Sequence, residues 1–213
     1  MAKVSEIDHL PAHRVRIRLD DGSEFHLSES LYHGKPLEVE AEVDPAELSQ
    51  WILLHQYPSA LNKAVSMLSL RPHSKAEISR KLVRSGFSEE TIELVLFKLE
   101  KNKLLDDTEF ALKWTQFRSE KRYGPRRIIQ ELKLKGVSGE DILSSMQAVD
   151  ENSMLNEAIH LAEKKYRQEK NNKSHRELHL KIMNFIVRRG YSWELARKAA
   201  DAVLDKNVSD PSV

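Results

Sequence analysis

Three times in this chain a glycine, a large or branched apolar residue and a serine stand in a row: Gly86-Phe87-Ser88, Gly136-Val137-Ser138 and Gly190-Tyr191-Ser192. Glycine accepts the left-handed conformation that ends a helix, and serine caps the helix that follows. Each triplet therefore predicts a tight joint between two helices, and their recurrence at about fifty residues makes an internal repeat. The flanking positions agree. Four residues before the glycines stand Leu82, Leu132 and Ile186, six after them Ile92, Ile142 and Ala196, and thirteen after them Leu99, Val149 and Val203. With serine as N-cap, Phe87–Ile92, Val137–Ile142 and Tyr191–Ala196 take the N′ and N4 positions of hydrophobic staples, which set the angle between joined helices.

The sequence between the triplets fills each repeat out to three helices. Residues 59–103 hold the first repeat: Leu61, Ala64, Val65 and Leu68 at helical spacing, a break at Arg71-Pro72, then a capping box at Ser74 and Glu77 ahead of Ile78 and Leu82. Residues 104–149 hold the second, with Asp106 or Asp107 capping a helix that carries Phe110, Ala111, Trp114 and Phe117. Gly124-Pro125 then takes the cap and first-turn positions of a helix buried through Ile128, Ile129 and Leu132. Residues 150–206 hold the third, opening with a long helix through Leu155, Ala158, Ile159, Ala162 and Tyr166. After a loop at 170–173, Ser174 and Glu177 repeat the capping box. Ser74 lies twelve residues before its glycine and Ser174 sixteen, so this last middle helix is expected to be one turn longer. Residues 207–213 read as a flexible tail.

A different pattern precedes the repeats. Over residues 1–43 the expectation is a small β-hairpin element: Val15, Ile17 and Leu19 alternate with arginines, and Phe25 and Leu27 alternate with Glu24 and His26. A three-residue loop, Asp20-Asp21-Gly22, pairs Ile17 with Phe25, Val15 with Leu27 and Arg18 with Glu24, whereas a two-residue loop would mix the faces. Residues from Leu37 to Val43 read as a third strand. Residues 44–58 form a linking helix, opened by Asp44-Pro45 and ended by Pro58, with His55 as a packed or rim histidine.

The chain has no cysteine, which excludes disulfides and cysteine-ligated metal centres, and no apolar run of membrane-spanning length. Its start lacks a signal-peptide core, and a cytoplasmic protein is expected. Neither a phosphate-binding glycine loop nor a nucleophile elbow occurs. His175 and His179 stand four apart, but Arg176 occupies the place of the glutamate in a zinc-helix motif and no third ligand has a telling spacing. No cofactor, metal or catalytic residue is expected.

Charge supplies the functional signal. Residues 1–58 carry five Lys/Arg against eleven Asp/Glu, net −6, and residues 59–213 carry 29 against 22, net +7. The densest cationic stretch is the joint within the second repeat, with Arg118, Lys121, Arg122, Arg126, Arg127, Lys133 and Lys135 around Tyr123, diluted by Glu120 and Glu131. Guanidinium groups fork onto phosphates and carboxylates, and tyrosine is an amphipathic anchor, so this joint is the candidate contact surface. Arg188, Arg189, Arg197 and Lys198 extend it in the third repeat, and Arg80, Lys81 and Arg84 form a further patch in the first. Trp114 reads as core.

The segment from Arg71 to Ser138 resembles the RecX proteins, bacterial regulators of the RecA recombinase. Its most specific parts are the Arg71-Pro72-His73-Ser74 joint with Glu77 and Leu82, the Leu105-Asp106-Asp107 start with Phe110 and Ala111, and the stretch from Gly124 to Gly136. The resemblance implies a mainly α fold, three tandem three-helix repeats in an elongated or curved array behind the β-hairpin element. It also implies a monomer without enzymatic activity that lies in the groove of the RecA–DNA filament. There it inhibits recombination, ATP hydrolysis and repressor cleavage, and so acts in DNA repair and the SOS response. RecA is then the partner, with single- or double-stranded DNA a secondary one. The rival reading is a direct DNA-binding protein that uses its short helix pairs as helix-turn-helix units.

Overall fold

Arg14–Leu19 (β2) and Glu24–Ser28 (β3) pair antiparallel with Val15 opposite Leu27, Ile17 opposite Phe25 and Arg18 opposite Glu24, as the alternation predicts. Gly22 closes the turn at φ +89°, its N–H donating to the Leu19 carbonyl at 3.2 Å. These pairings belong to a computed structural model that describes residues 1–11, 13–147, 149–171 and 174–208. The hairpin is part of a larger sheet. Ala2–Leu10 (β1) pairs with β2, and Glu42–Val43 (β4) pairs with β1, giving the order β3-β2-β1-β4. The third strand expected at Leu37–Val43 is therefore only two residues long and sits on the far edge, away from the hairpin. A register shift between Val4 and Glu6 breaks the alternation of β1, which leaves no period-two signal to read. Glu29–Gly34 (α1), capped by Ser28, follows β3.

Pro45–Leu70 (α2) is one helix of 26 residues that runs straight through Pro58. The expectation that Pro58 ends it is overturned, and the reason lies in where the proline falls. Pro58 and Leu54, the residue whose carbonyl loses its i+4 donor, are both on the exposed side, where water replaces the missing bond. Both halves of the helix are meanwhile held by burial. Leu48 and Ile52 pack under the sheet with Val4, Val15, Ile17 and Leu27, while Ala60, Ala64 and Met67 enter the core of the first repeat. Val65, expected on the buried stripe, is exposed. Between the two cores the buried side chain of Gln56 donates to the carbonyls of His26 and Gly86, each at 3.3 Å, and accepts from the Ser88 N–H at 2.7 Å. The linking helix and the first helix of the repeat are thus one spine.

The rest of the first repeat is Lys75–Arg84 (α3), with the Ser74–Glu77 capping box, and Glu89–Lys101 (α4), capped by Ser88. The second is Asp107–Glu120 (α5), Pro125–Leu134 (α6) and Gly139–Gln147 (α7); the third is Glu151–Glu169 (α8), His175–Arg188 (α9) and Trp193–Val208 (α10). α9 has 14 residues where α3 and α6 have 10, the extra turn expected from the spacing. α10 extends through residue 208, so 207 and 208, expected in a tail, belong to a helix; residues 209–213, and 172–173 of the expected loop, lie outside the described residues.

All three glycine joints have one geometry. Gly86, Gly136 and Gly190 have φ of +82°, +79° and +97°, and the next residue donates back to the carbonyl of Leu82, Leu132 or Ile186. That is the Schellman helix stop, and it places the following apolar residue against the new helix. Phe87 shares a core with Ile92, Val137 with Ile142, and Tyr191 with Ala196.

The structure divides into the units Met1–Asp106 and Asp107–Val213. In the second unit, repeats two and three meet through backbone. The Gly124 N–H donates to the Arg189 carbonyl at 2.8 Å and the Arg126 N–H to the Gly190 carbonyl at 3.0 Å, so the open start of α6 is satisfied by the end of α9. A Cβ at Gly124 would lie 2.4 Å from the Gly190 carbonyl carbon, and one at Gly190 would lie 2.4 Å from the Arg127 Cβ. Gly124→Ala is expected to lower stability by about 2 kcal/mol or more through this overlap. Gly139→Ala, at a position with open space around it, is expected to be neutral or slightly stabilising, and urea unfolding of the two variants beside the parent measures both effects.

Candidate interaction surface

α5 ends in a Schellman turn without glycine. Arg122 takes φ +57°, its N–H donates to Ser119 and the Tyr123 N–H donates to the Arg118 carbonyl at 3.0 Å. The left-handed arginine costs about 1 kcal/mol and folds Tyr123 back beneath Arg118. The Arg118 guanidinium lies 3.9 Å from the Tyr123 ring centroid, Arg127 4.3 Å and Arg189 5.1 Å, so three arginines from three helix ends surround one ring. Arg189 also donates to the Lys121 carbonyl at 3.2 Å.

Glu131 holds this cluster. Its Oε1 accepts from Arg118 and, at 3.1 Å, from Arg127, while Oε2 accepts from the Trp114 indole N–H at 3.2 Å. Burial works to raise the Glu131 carboxyl pKa, but the hydrogen bonds from Arg118 and Arg127 outweigh it and hold the group below its ordinary value. Glu131, which the sequence reading takes as diluting the cationic stretch, is its organiser. Trp114 packs against the core of repeat two as expected, and Lys135 lies over its other side at 4.0 Å. Phe117, expected on the same buried stripe, is 48% exposed; Thr115 takes the buried position. The sequence reading missed both pairs: the i, i+4 spacing of Arg127 and Glu131 was a signal that could have found the first, whereas Arg118–Glu131 spans a turn and had none.

The predicted contact residues therefore fall into two groups. Arg118 is 16% exposed and committed to Glu131, with its buried Nε left without a partner; Arg122 pairs with Glu157; Tyr123, Arg127, Lys135 and Arg189 are engaged with rings or ions of the same unit. Lys121, Arg126, Lys133 and Arg188 are exposed and make no ion pair among the described residues, although Lys121 lies 5.8 Å from the centroid of the exposed Phe117 ring. On α10, Arg197 is 4.0 Å from Asp201 and Lys198 is 2.9 Å from Glu194, each paired along its own helix and largely exposed. In the first unit Lys81 lies 3.1 Å from the buried His73 ring. His55 rests on Trp51 at the rim of its core, and His179 reaches Asp201 at 2.7 Å. Among the described residues no group of His, Asp and Glu is arranged to hold a metal ion, and no helix is long and apolar enough to cross a membrane.

The fold and this joint define a class: tandem three-helix repeats whose helix junctions gather cations. Family models for the first, second and third three-helix domains of RecX match residues 60–99, 106–145 and 153–200. The chain belongs to the RecX family. Among curated relatives, the regulatory protein RecX of Prosthecochloris aestuarii is 37% identical over 68% of this chain and 93% of its own length. That of Bacillus pumilus is 28% identical over 90% and 73%. A crystal structure of a regulatory protein RecX superposes with a TM-score of 0.64 at 25% identity, covering 94% of this chain and all of that one. The RecX structure from Lactobacillus salivarius, at 20% identity, has the same TM-score and shares the fold.

Because the folded Glu131 pKa is depressed, the stability it contributes is present above its ordinary value of 4.5 and is lost as pH falls through the lower folded value. Glu131→Gln is expected to cost about 2 kcal/mol at pH 7 by stranding Arg118, with the difference from the parent shrinking in acid. Urea unfolding at pH 7 and pH 3 measures both.

Proposed function

We propose that this protein is a non-enzymatic regulator of the RecA recombinase, seated as a monomer in the groove of the RecA–DNA filament, where it restrains strand exchange, ATP hydrolysis and repressor cleavage. The observation that carries the reading is the division of the cations at the joint of repeats two and three. One set is locked to Glu131 and Tyr123 and builds a rigid base. The other, Lys121, Arg126, Lys133 and Arg188, stays exposed for a partner. A periodic, charged filament suits a chain of similar modules. On this reading it acts in the cytoplasm, within DNA repair and the SOS response, and contacts DNA chiefly as part of the filament.

The test is RecA ATP hydrolysis on single-stranded DNA with increasing amounts of this protein. The parent is expected to inhibit at or below equal ratios. Arg126→Glu with Arg188→Glu is expected to need at least ten-fold more protein for the same inhibition while keeping its helical circular dichroism. Undiminished inhibition would remove the joint from the interface. Tight sequence-selective binding to duplex DNA with no effect on RecA would favour a helix-turn-helix DNA binder instead.

A further inference from the structure

His73 lies in the Arg71–Ser74 joint between α2 and α3 and is 4% exposed. A ring so enclosed needs a partner for each nitrogen, since a polar atom out of water is costly to leave unpaired. Both nitrogens find one. Nδ1 is 2.9 Å from the Arg71 carbonyl oxygen and Nε2 is 3.1 Å from the Lys81 Nζ. Lys81 stands near the end of α3 and reaches back to the joint, because long side chains on a helix point toward its N-terminus.

These partners fix the proton. A carbonyl only accepts, so Nδ1 carries the hydrogen; an ammonium only donates, so Nε2 carries none. Two contacts from different parts of the chain thus select the same neutral tautomer. A second proton, on Nε2, would remove the acceptor that holds Lys81 and set two cations 3.1 Å apart.

The surroundings offer that charge little relief. Burial, joined by the charges of Arg71 and Lys81, holds the His73 pKa below its ordinary 6.5, against the hydrogen bond to the Arg71 carbonyl and the charge of Glu77. Glu77 is already engaged, accepting from the Ser74 N–H at 3.3 Å and from Arg71 at 3.3 and 3.4 Å. Where α4 packs on α3, Glu100 is held by Lys75 at 2.7 Å. The last turn of α2, Met67-Leu68-Ser69-Leu70, brings no charge.

We infer that His73 is an acid-sensitive latch in the first repeat: neutral, it ties Lys81 of α3 to the joint that follows α2; protonated, it releases Lys81 and loosens that joint. The unfolded chain takes up this proton at a higher pH than the folded one, so the latch's contribution to stability is present at neutral pH and is lost as pH falls below 6.5. The latch lies within the first unit and needs no partner to act.

The test is a long-range proton–nitrogen correlation spectrum of the full chain, labelled with nitrogen-15 and carbon-13, followed from pH 8 to pH 5. The ring signals of His73 are assigned through bonds to its own Cβ, so no histidine variant is required. At pH 8 the ring is expected to show a protonated Nδ1 and a bare Nε2, and to titrate below 6.5, with the Ser74 and Lys81 amides shifting at the same midpoint. Lys81→Met, at an exposed position, is expected to raise that midpoint and to shrink the fall in Tm between pH 7.5 and pH 5.5 relative to the parent. A protonated Nε2 at pH 8, a midpoint at or above 6.5, or amides that do not follow it would overturn the proposal. So would a Lys81→Met protein whose midpoint and Tm loss match the parent's.

Discussion

The second half of this molecule depends on a place where two helices touch without side chains. A helix start leaves its first N–H groups unpaired and a helix end leaves its last carbonyls unpaired. At Gly124 and Gly190 these two deficits cancel, because the start of α6 donates to the end of α9. The approach is close enough that neither glycine has room for a methyl group. Everything distinctive about the cationic joint follows from it. The crossing sets the C-terminus of α9, with Arg189, beside the N-terminus of α6, with Arg127, and both flank the Tyr123 ring that the end of α5 turns inward.

Packing like charges together requires a counterweight, and Glu131 is it. Three guanidinium groups around one ring would repel strongly if the only attraction were to the π-face, each such contact contributing about 0.5–2 kcal/mol. A part-buried carboxylate that accepts from two of them and from Trp114 turns the repulsion into a network. The consequence is a division of labour that charge counting does not reveal. A cation's place in the sequence says little about whether it faces a partner or its own neighbour: Arg126 and Arg127 are adjacent, yet one is exposed and the other engaged.

Local signals were legible where physics is local. The glycine stops, the serine caps, both capping boxes, the Gly124-Pro125 start and the hairpin register all rest on contacts within a few residues, and each appears where the sequence predicts it. The failures are tertiary overrides. Pro58 is a helix breaker in isolation, but cores on both sides of it hold α2 together and solvent covers the lost bond. β1 hides behind its bulge. Gln56, a polar residue in an apolar stripe, gave no hint that it would stitch the sheet to the first repeat. At the joint, residue types and neighbourhood were readable from the run of cations around Tyr123, while the partners were not, since Arg118 with Glu131 and Arg122 with Glu157 are brought together only by folding.

The backbone crossing of repeats two and three is most directly tested by hydrogen exchange at two amides. Gly124 and Arg126 sit at the start of a helix, where N–H groups ordinarily exchange at the rate of open chain. Bonded across to α9, they are expected to be protected as strongly as Ile128 and Leu132 in the interior of α6, exchanging only when the whole unit opens. Rates at those two amides typical of a frayed helix end, beside a protected Ile128, would contradict the crossing and leave the cluster around Tyr123 without its foundation.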